Sequence, residues 1–257
     1  AFTKILKQMH TAKPSREFQY GIFNDPFLQI RLLKILAIMK LPSDALDEIL
    51  ESIVTGIDIK RNIGRSLLYQ TVETIVVAAS KPTLRGLAFS QIGRLLKFKE
   101  ANILYSALSA FSRVLYSDGE ILEKSSSDSI ALQRSKNDIV RCLSHRDPSI
   151  RRRALDVISA LIDEENVESL VPEILDYIKM ADTEFRVDMV TKIFNAVQKY
   201  SHSPVWTFNI SQRIIIDSGN YVSSDIITSI CRMVEESPTL QEHAVKQLSS
   251  SLMAFCD

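Results

Sequence analysis

The chain has 257 residues, with 31 basic and 31 acidic side chains and therefore no formal net charge. That balance argues against nucleic acid as a partner, because such binders usually carry a charge excess. With 46% hydrophobic residues and only 7 Gly and 8 Pro, there is apolar surface for a large core. No apolar run reaches the ~18 residues needed to span a bilayer.

Apolar spacing of three and four runs through nearly every segment. It predicts helices over about 2–10, 26–40, 43–56, 60–79, 82–97, 100–117, 130–144, 148–163, 167–180, 183–199, 204–217, 221–235 and 238–254. The first has no starting Met and no signal-peptide pattern, and it reads as the tail of a helix cut open, hence a fragment of a longer protein. Thr11–Arg16 is read as a loop. Asp25-Pro-Phe-Leu-Gln-Ile-Arg-Leu-Leu then opens a motif that recurs at Asp147-Pro-Ser-Ile-Arg-Arg-Arg-Ala-Leu and at Asp182-Thr-Glu-Phe-Arg-Val. Weaker copies place Leu28, Ile63, Ile103, Ile150, Phe185 and Val222 in one register, at steps near 35–47 residues. A period of that length without a strand signal predicts stacked helix pairs, an all-α, right-handed superhelical solenoid.

Start signals accompany most of these helices: Ser43-Asp44, Asp147-Pro148, Ser203-Pro204 and Ser237-Pro238. The polar stretch Ser117–Ser129 is read as an exposed inter-repeat loop, not a domain boundary, because the register resumes after it. The whole of 1–257 is thus expected to be a single solenoid segment. The triplet Ser125-Ser126-Ser127 could be phosphorylated, but a plain flexible loop is the preferred reading. Pro172 would break a mid-helix and fits a first turn, which places that helix start near Ser169. Trp206 and Tyr221 open repeats and are expected to wedge between layers.

Catalytic or metal chemistry finds no support. His10, His145, His202 and His243 are scattered, with no Cys, Asp or Glu at ligand spacing. Gly-rich phosphate loops and a nucleophile elbow are absent from the sequence. Acidic runs such as Asp163-Glu164-Glu165 and Glu235-Glu236 fall at helix ends. Neither an enzyme nor a cofactor is expected. Cys142, Cys231 and Cys256 are far apart and are read as buried free thiols of a reducing compartment.

The one basic cluster is Arg151, Arg152 and Arg153, with Arg141 and His145 upstream. These three arginines are the candidate partner-binding residues, an anionic contact for a phosphoinositide or a partner's acidic segment. An architectural reading stands beside it. An Arg at this position can pair with an Asp in the same place on the next repeat, forming a ladder. Consecutive helical residues point about 100° apart, so the three cannot make one flat patch.

The pattern of Asp, turn, apolar and Arg resembles HEAT and armadillo repeats. More specific stretches resemble the trunk of the adaptin large chains: Asp25 to Leu33, Asn62-Ile-Gly-Arg-Ser-Leu-Leu-Tyr, Ala101-Asn-Ile-Leu-Tyr-Ser-Ala-Leu, Asp147 to Leu155, and Lys199-Tyr200 followed by Trp206 and Ser218-Gly-Asn-Tyr-Val. They come in the family's order and cover nearly the whole chain. Asp25–Leu32 looks closest to the gamma class, ahead of alpha, then epsilon or delta; alpha chains usually carry Trp near Phe27. Gln70 departs from the family's usual Glu, and the Ser117–Ser129 loop is longer than the pattern.

The resemblance implies the middle-to-C-terminal part of a trunk that scaffolds a clathrin-associated adaptor, a non-enzymatic vesicle coat for intracellular protein transport. The implied partners are a beta-type adaptin with medium and small chains. An Arf-class GTPase and anionic membrane would be met through the full complex. The implied place is the cytosol and the cytoplasmic face of trans-Golgi and endosomal membranes, on clathrin-coated vesicles. No cargo-binding or GTPase-binding residue carries over, because the family's first trunk portion is not matched. A HEAT scaffold or transport receptor of another family is the alternative.

Overall fold

The computed structural model describes residues 1–12, 16–79, 81–117, 120–121, 126–178 and 181–256. The fold is all-α, 80% helical with 13 helices among the described residues. The helices are α1 Phe2–Thr11, α2 Pro26–Met39, α3 Asp44–Gly56, α4 Asn62–Ala78, α5 Pro82–Leu95, α6 Ala101–Leu115, α7 Ser126–Arg141, α8 Pro148–Leu161, α9 Val167–Leu175, α10 Thr183–Tyr200, α11 Pro204–Ser218, α12 Ser224–Glu236 and α13 Pro238–Cys256. Contacts divide the chain into two compact units, Ala1–Cys142 and Leu143–Asp257.

The recurring aspartates begin helices because their carboxylates accept the first free backbone N–H groups. Asp25 accepts from Leu28 N at 3.2 Å, Asp147 from Ser149 N at 2.9 Å and Asp182 from Phe185 N at 2.9 Å. Ser43 and Ser203 do the same for Leu46 N and Trp206 N. Ser237 instead offers its backbone carbonyl to Leu240 N and Gln241 N, while its hydroxyl bonds Thr239. The aligned positions Leu28, Ile103, Ile150 and Phe185 are each the third residue of a helix. Ile150 and Phe185 are buried whereas Leu28 is exposed, so the shared register marks helix starts and not one continuous core row.

In the first unit, α1, α3 and α5 pack in succession and α7 packs on α5, while α2, α4 and α6 form the second row. Two glycines permit the close approaches. A Cβ on Gly64 would stand 2.0 Å from the Asp58 carbonyl oxygen and 3.1 Å from the Phe23 ring. A Cβ on Gly93 would stand 2.2 Å from Ser135 Oγ, so a small residue on each side lets α5 meet α7. Phe89 and Phe111 stack at 5.7 Å between α5 and α6. In the second unit, α10 packs on α8, α9 and α11, and α13 packs on α11 and α12.

Layer-to-layer polar contacts repeat the sequence period. His10 meets Ser52, Thr74 donates to the Leu33 carbonyl, Arg113 pairs with Glu73, Lys192 with Asp156, and Arg213 with Asp176 at 2.5 Å. Their separations run from 36 to 42 residues, one repeat apart. The ladder is real within each unit and is not confined to the arginine cluster.

Several expectations need correction. Two short antiparallel hairpins occur, β1 Gln19–Tyr20 with β2 Phe23–Asn24, and β3 Tyr116–Ser117 with β4 Glu120–Ile121. Two-residue strands leave too few positions for a period-two pattern, so alternation could not have revealed them. The supposed loop over 117–129 therefore holds a hairpin, and α7 already starts at Ser126. Ser125 lies outside the described residues, as do the side chains of Ser126 and Ser127.

Pro172 sits inside α9, which starts at Val167 and not near Ser169. The missing proline N–H is tolerated because the start is anchored elsewhere. Asn166 and Asp163 each accept the other's backbone N–H at 3.0 Å, and the buried Asn166 amide donates to the Leu161 carbonyl at 2.8 Å. Gln70 is buried, which suits a neutral amide where a carboxylate would bear a desolvation cost. Cys142 is buried but Cys231 is exposed, and Trp206 and Tyr221 are only half-buried.

Candidate partner-binding surface

Arg151, Arg152 and Arg153 lie early in α8 and point to three different neighbours. Arg151 is the inner one, with 17% of its side chain exposed, and it pairs with the Asp182 carboxylate at the start of α10. Its Nη1 also donates to the carbonyls of His145 at 3.0 Å and Arg146 at 3.1 Å. Its guanidinium lies 5.6 Å from the centre of the Phe185 ring. Arg151 thus buttons one helix start onto the next. Arg152, 46% exposed, meets Glu184 at 2.6 Å, and this carboxylate raises its pKa. Arg153 reaches Asp156 at 3.5 Å, one turn along the same helix.

Asp182 serves two donors at once. The Phe185 backbone N–H, then the Arg151 guanidinium, hold its carboxyl below the usual carboxylate range. The next repeat varies the theme: Arg186, aligned with Arg151, donates to the Ala181 carbonyl at 3.0 Å and lies 5.1 Å from the Tyr221 ring centre. Tyr221 therefore covers an arginine and does not wedge into the core.

A cavity of about 210 Å³ opens beside Arg151, lined by Leu143, Ser144, His145, Tyr177, Ala181 and Asp182. His145 Nδ1 accepts the Asp147 backbone N–H at 3.0 Å. A larger groove of about 540 Å³ runs between α11, α12 and α13, walled by Phe208, Ile215, Ile227, Ile230, Val234 and Leu248. Sequence reasoning missed this groove; its only signal was apolar residues on more than one face of α11, as in Ile214-Ile215-Ile216. No group of three potential metal-ligating side chains occurs among the described residues. Among the described residues, no helix is long and apolar enough to cross a membrane.

The sequence model of one family, the adaptin N terminal region, matches residues 2–257. The chain belongs to the adaptin family. The AP-1 complex subunit gamma-1 of Mycosarcoma maydis is 36% identical over 251 residues, covering 96% of this chain and 28% of that protein. The AP-1 complex subunit gamma of Dictyostelium discoideum is 33% identical over 253 residues, covering 97% and 27%. The AP-2 complex subunit alpha-2 of the same organism is 28% identical, covering 93% and 25%.

This adaptin segment therefore spans little more than a quarter of the curated relatives it matches. The gamma-type resemblance of Asp25–Leu32 agrees with these relatives, and the adaptin match replaces the reading as a scaffold of another HEAT family. Among solved structures, an engineered protein overlays with a TM-score of 0.49 and 13% identity, covering 91% of this chain and 95% of that one.

Proposed function

We propose that this chain is the middle-to-C-terminal trunk portion of the large, gamma-like subunit of a clathrin-associated adaptor complex, acting as a non-enzymatic scaffold in vesicle-mediated protein transport. The observation that carries this reading is the adaptin match from residue 2 to 257. Helix-on-helix stacking supports it, since such arrays work through extended surface and not through a catalytic pocket.

On this reading the partners are a beta-type adaptin with medium and small chains. An Arf-class GTPase and anionic membranes are engaged through the assembled complex. The site of action is the cytosolic face of trans-Golgi and endosomal membranes. The chain acts as a single solenoid segment of a longer trunk. Arg151 serves chiefly to join α8 to α10, and Arg152 and Arg153, more exposed, are the members of the cluster that face a partner.

The test is a pulldown of beta-type, medium and small adaptin chains on the purified chain. Retention of the beta-type chain is expected. Its failure to bind, with capture of a nuclear transport GTPase instead, would overturn the reading. Arg152→Ala with Arg153→Ala should weaken the capture without lowering the melting temperature. Lowered melting with unchanged capture would make these two residues purely architectural.

A further inference from the structure

In the first unit, three successive interhelix regions meet along one edge: the turn before α4, the turn between α5 and α6, and the end of α7. Two contacts tie them together. The Arg65 guanidinium lies 5.5 Å from the centre of the Phe98 ring, and Arg141 Nη2 donates to the Leu96 carbonyl at 3.3 Å. This edge carries Lys60, Arg65, Arg94, Lys97 and Lys99, of which all but Arg65 are exposed.

These five cations differ from those of the ladder. Among the described residues none of them is within ion-pair distance of a carboxylate. Arg65 and Arg94 bond only neutral amides, those of Asn62 and Gln91. The nearby acids are already engaged, Asp58 by Arg61 at 3.7 Å and Asp138 by Arg141 at 3.2 Å, which leaves Glu100. Arg151, Arg152 and Arg153, by contrast, each have a carboxylate. In a chain with no net charge, uncompensated cations gathered on one edge create a local positive field.

We infer that this edge binds an extended acidic segment of a protein partner. The cations fall in two groups, Lys60 with Arg65 at the start of α4 and Arg94 with Lys97 and Lys99 at the end of α5, joined by the Arg65–Phe98 contact. Packed helices lie about 8–10 Å apart. An extended peptide advances about 3.3 Å per residue, so acidic residues two or three apart match that spacing. Arg65 is held against Phe98 before any ligand arrives, which lowers the ordering cost of binding. A membrane would favour apolar side chains standing out beside the charges. None of the large exposed hydrophobics falls within 57–65 or 94–100. The exposed Tyr20 and Ile22 flank Gly21, which lies against Arg61 at one end of the edge, and Lys97 and Lys99 have no such neighbours in their own turn. The inference rests on charge placement and stands apart from the coat reading.

The test uses fluorescence anisotropy with a labelled peptide of alternating Glu and Ser and with its Gln-for-Glu counterpart. The Glu peptide should bind, more weakly as salt rises, and the Gln peptide should not. Lys97→Ser with Lys99→Ser should weaken binding about tenfold or more with an unchanged thermal melt, because both lysines are exposed. Lys4→Ser with Lys7→Ser, exposed lysines of α1, should leave it unchanged. Equal binding by the Lys97/Lys99 variant and the wild type would overturn the inference. So would absence of Glu-peptide binding, or sedimentation with phosphatidylserine vesicles that the Glu peptide fails to compete.

Discussion

Asp182 is both a helix cap and an ion-pair partner, and substitution can separate the two roles. Asp182→Ala removes both and is expected to cost about 1 kcal/mol at neutral pH, mostly through the lost cap. Asp182→Asn keeps a capping oxygen and loses only the charge, so it should cost less, about 0–1 kcal/mol, as partly exposed pairs do. The sign with pH follows from the lowered carboxyl pKa in the folded state. The stabilisation is present above the unfolded value of 3.8 and is lost as pH falls through the lower folded value. Urea titrations at neutral pH and near pH 3 should show the gap between wild type and Asp182→Asn closing at acid pH. Equal losses for the Ala and Asn variants would assign the effect to the charge and not to the cap.

At the scale of the element, α4 shows why a helix can require a residue that weakens it. Ala exceeds Gly in helix propensity by about 1 kcal/mol, so Gly64→Ala should stabilise an isolated helix. In the folded chain the added methyl would meet the Asp58 carbonyl oxygen at 2.0 Å and press on Phe23. Backbone cannot move aside like a flexible side chain, and overpacking of this kind costs about 1–3 kcal/mol. The packing term should exceed the propensity gain, so Gly64→Ala is expected to lower the thermal midpoint of the chain. Gly56→Ala is the control, since nothing lies within 4 Å of a Cβ there, and it should be neutral or stabilising. A stabilised Gly64→Ala would mean that the turn at Asp58 yields.

Over the whole molecule, the thiols report which parts open only on unfolding. Cys142 is buried, donates its S–H to the Asp138 carbonyl at 3.2 Å, and burial pushes its pKa up to about 11. Thiolates are the reactive form, so in the native chain Cys142 should resist alkylation. Cys231 is exposed and should react quickly. In a Cys256→Ser background, iodoacetamide labelling followed by mass spectrometry should find one fast site, with Cys142 modified only in denaturant. Rapid labelling of Cys142 would show that the end of the first unit opens without global unfolding.

The helical fold was largely legible from the chain. Caps such as Asp147 and Ser203 and the three-and-four spacing act within a few residues, so helix existence and most boundaries could be read locally. The repeat period of about 35–47 residues foretold the separations of His10 with Ser52 and Lys192 with Asp156, because stacking neighbouring layers makes contact distance equal repeat length. The family could also be read, since its motifs are short and ordered. What required the tertiary structure was every property set by distant backbone. Gly64 and Gly93 look like ordinary helix interruptions until Asp58 and Ser135 come to lie against them. Pro172 by its residue type fits a first turn, but the Asn166 box holds the helix start upstream of it. Above all, charges that are equivalent in sequence diverge in space: Arg151 is neutralised by a carboxylate 31 residues away, while Lys97 and Lys99 are left facing solvent. Charge pairing across layers depends on which side chains the packing brings within a few ångströms, and only the folded chain decides that.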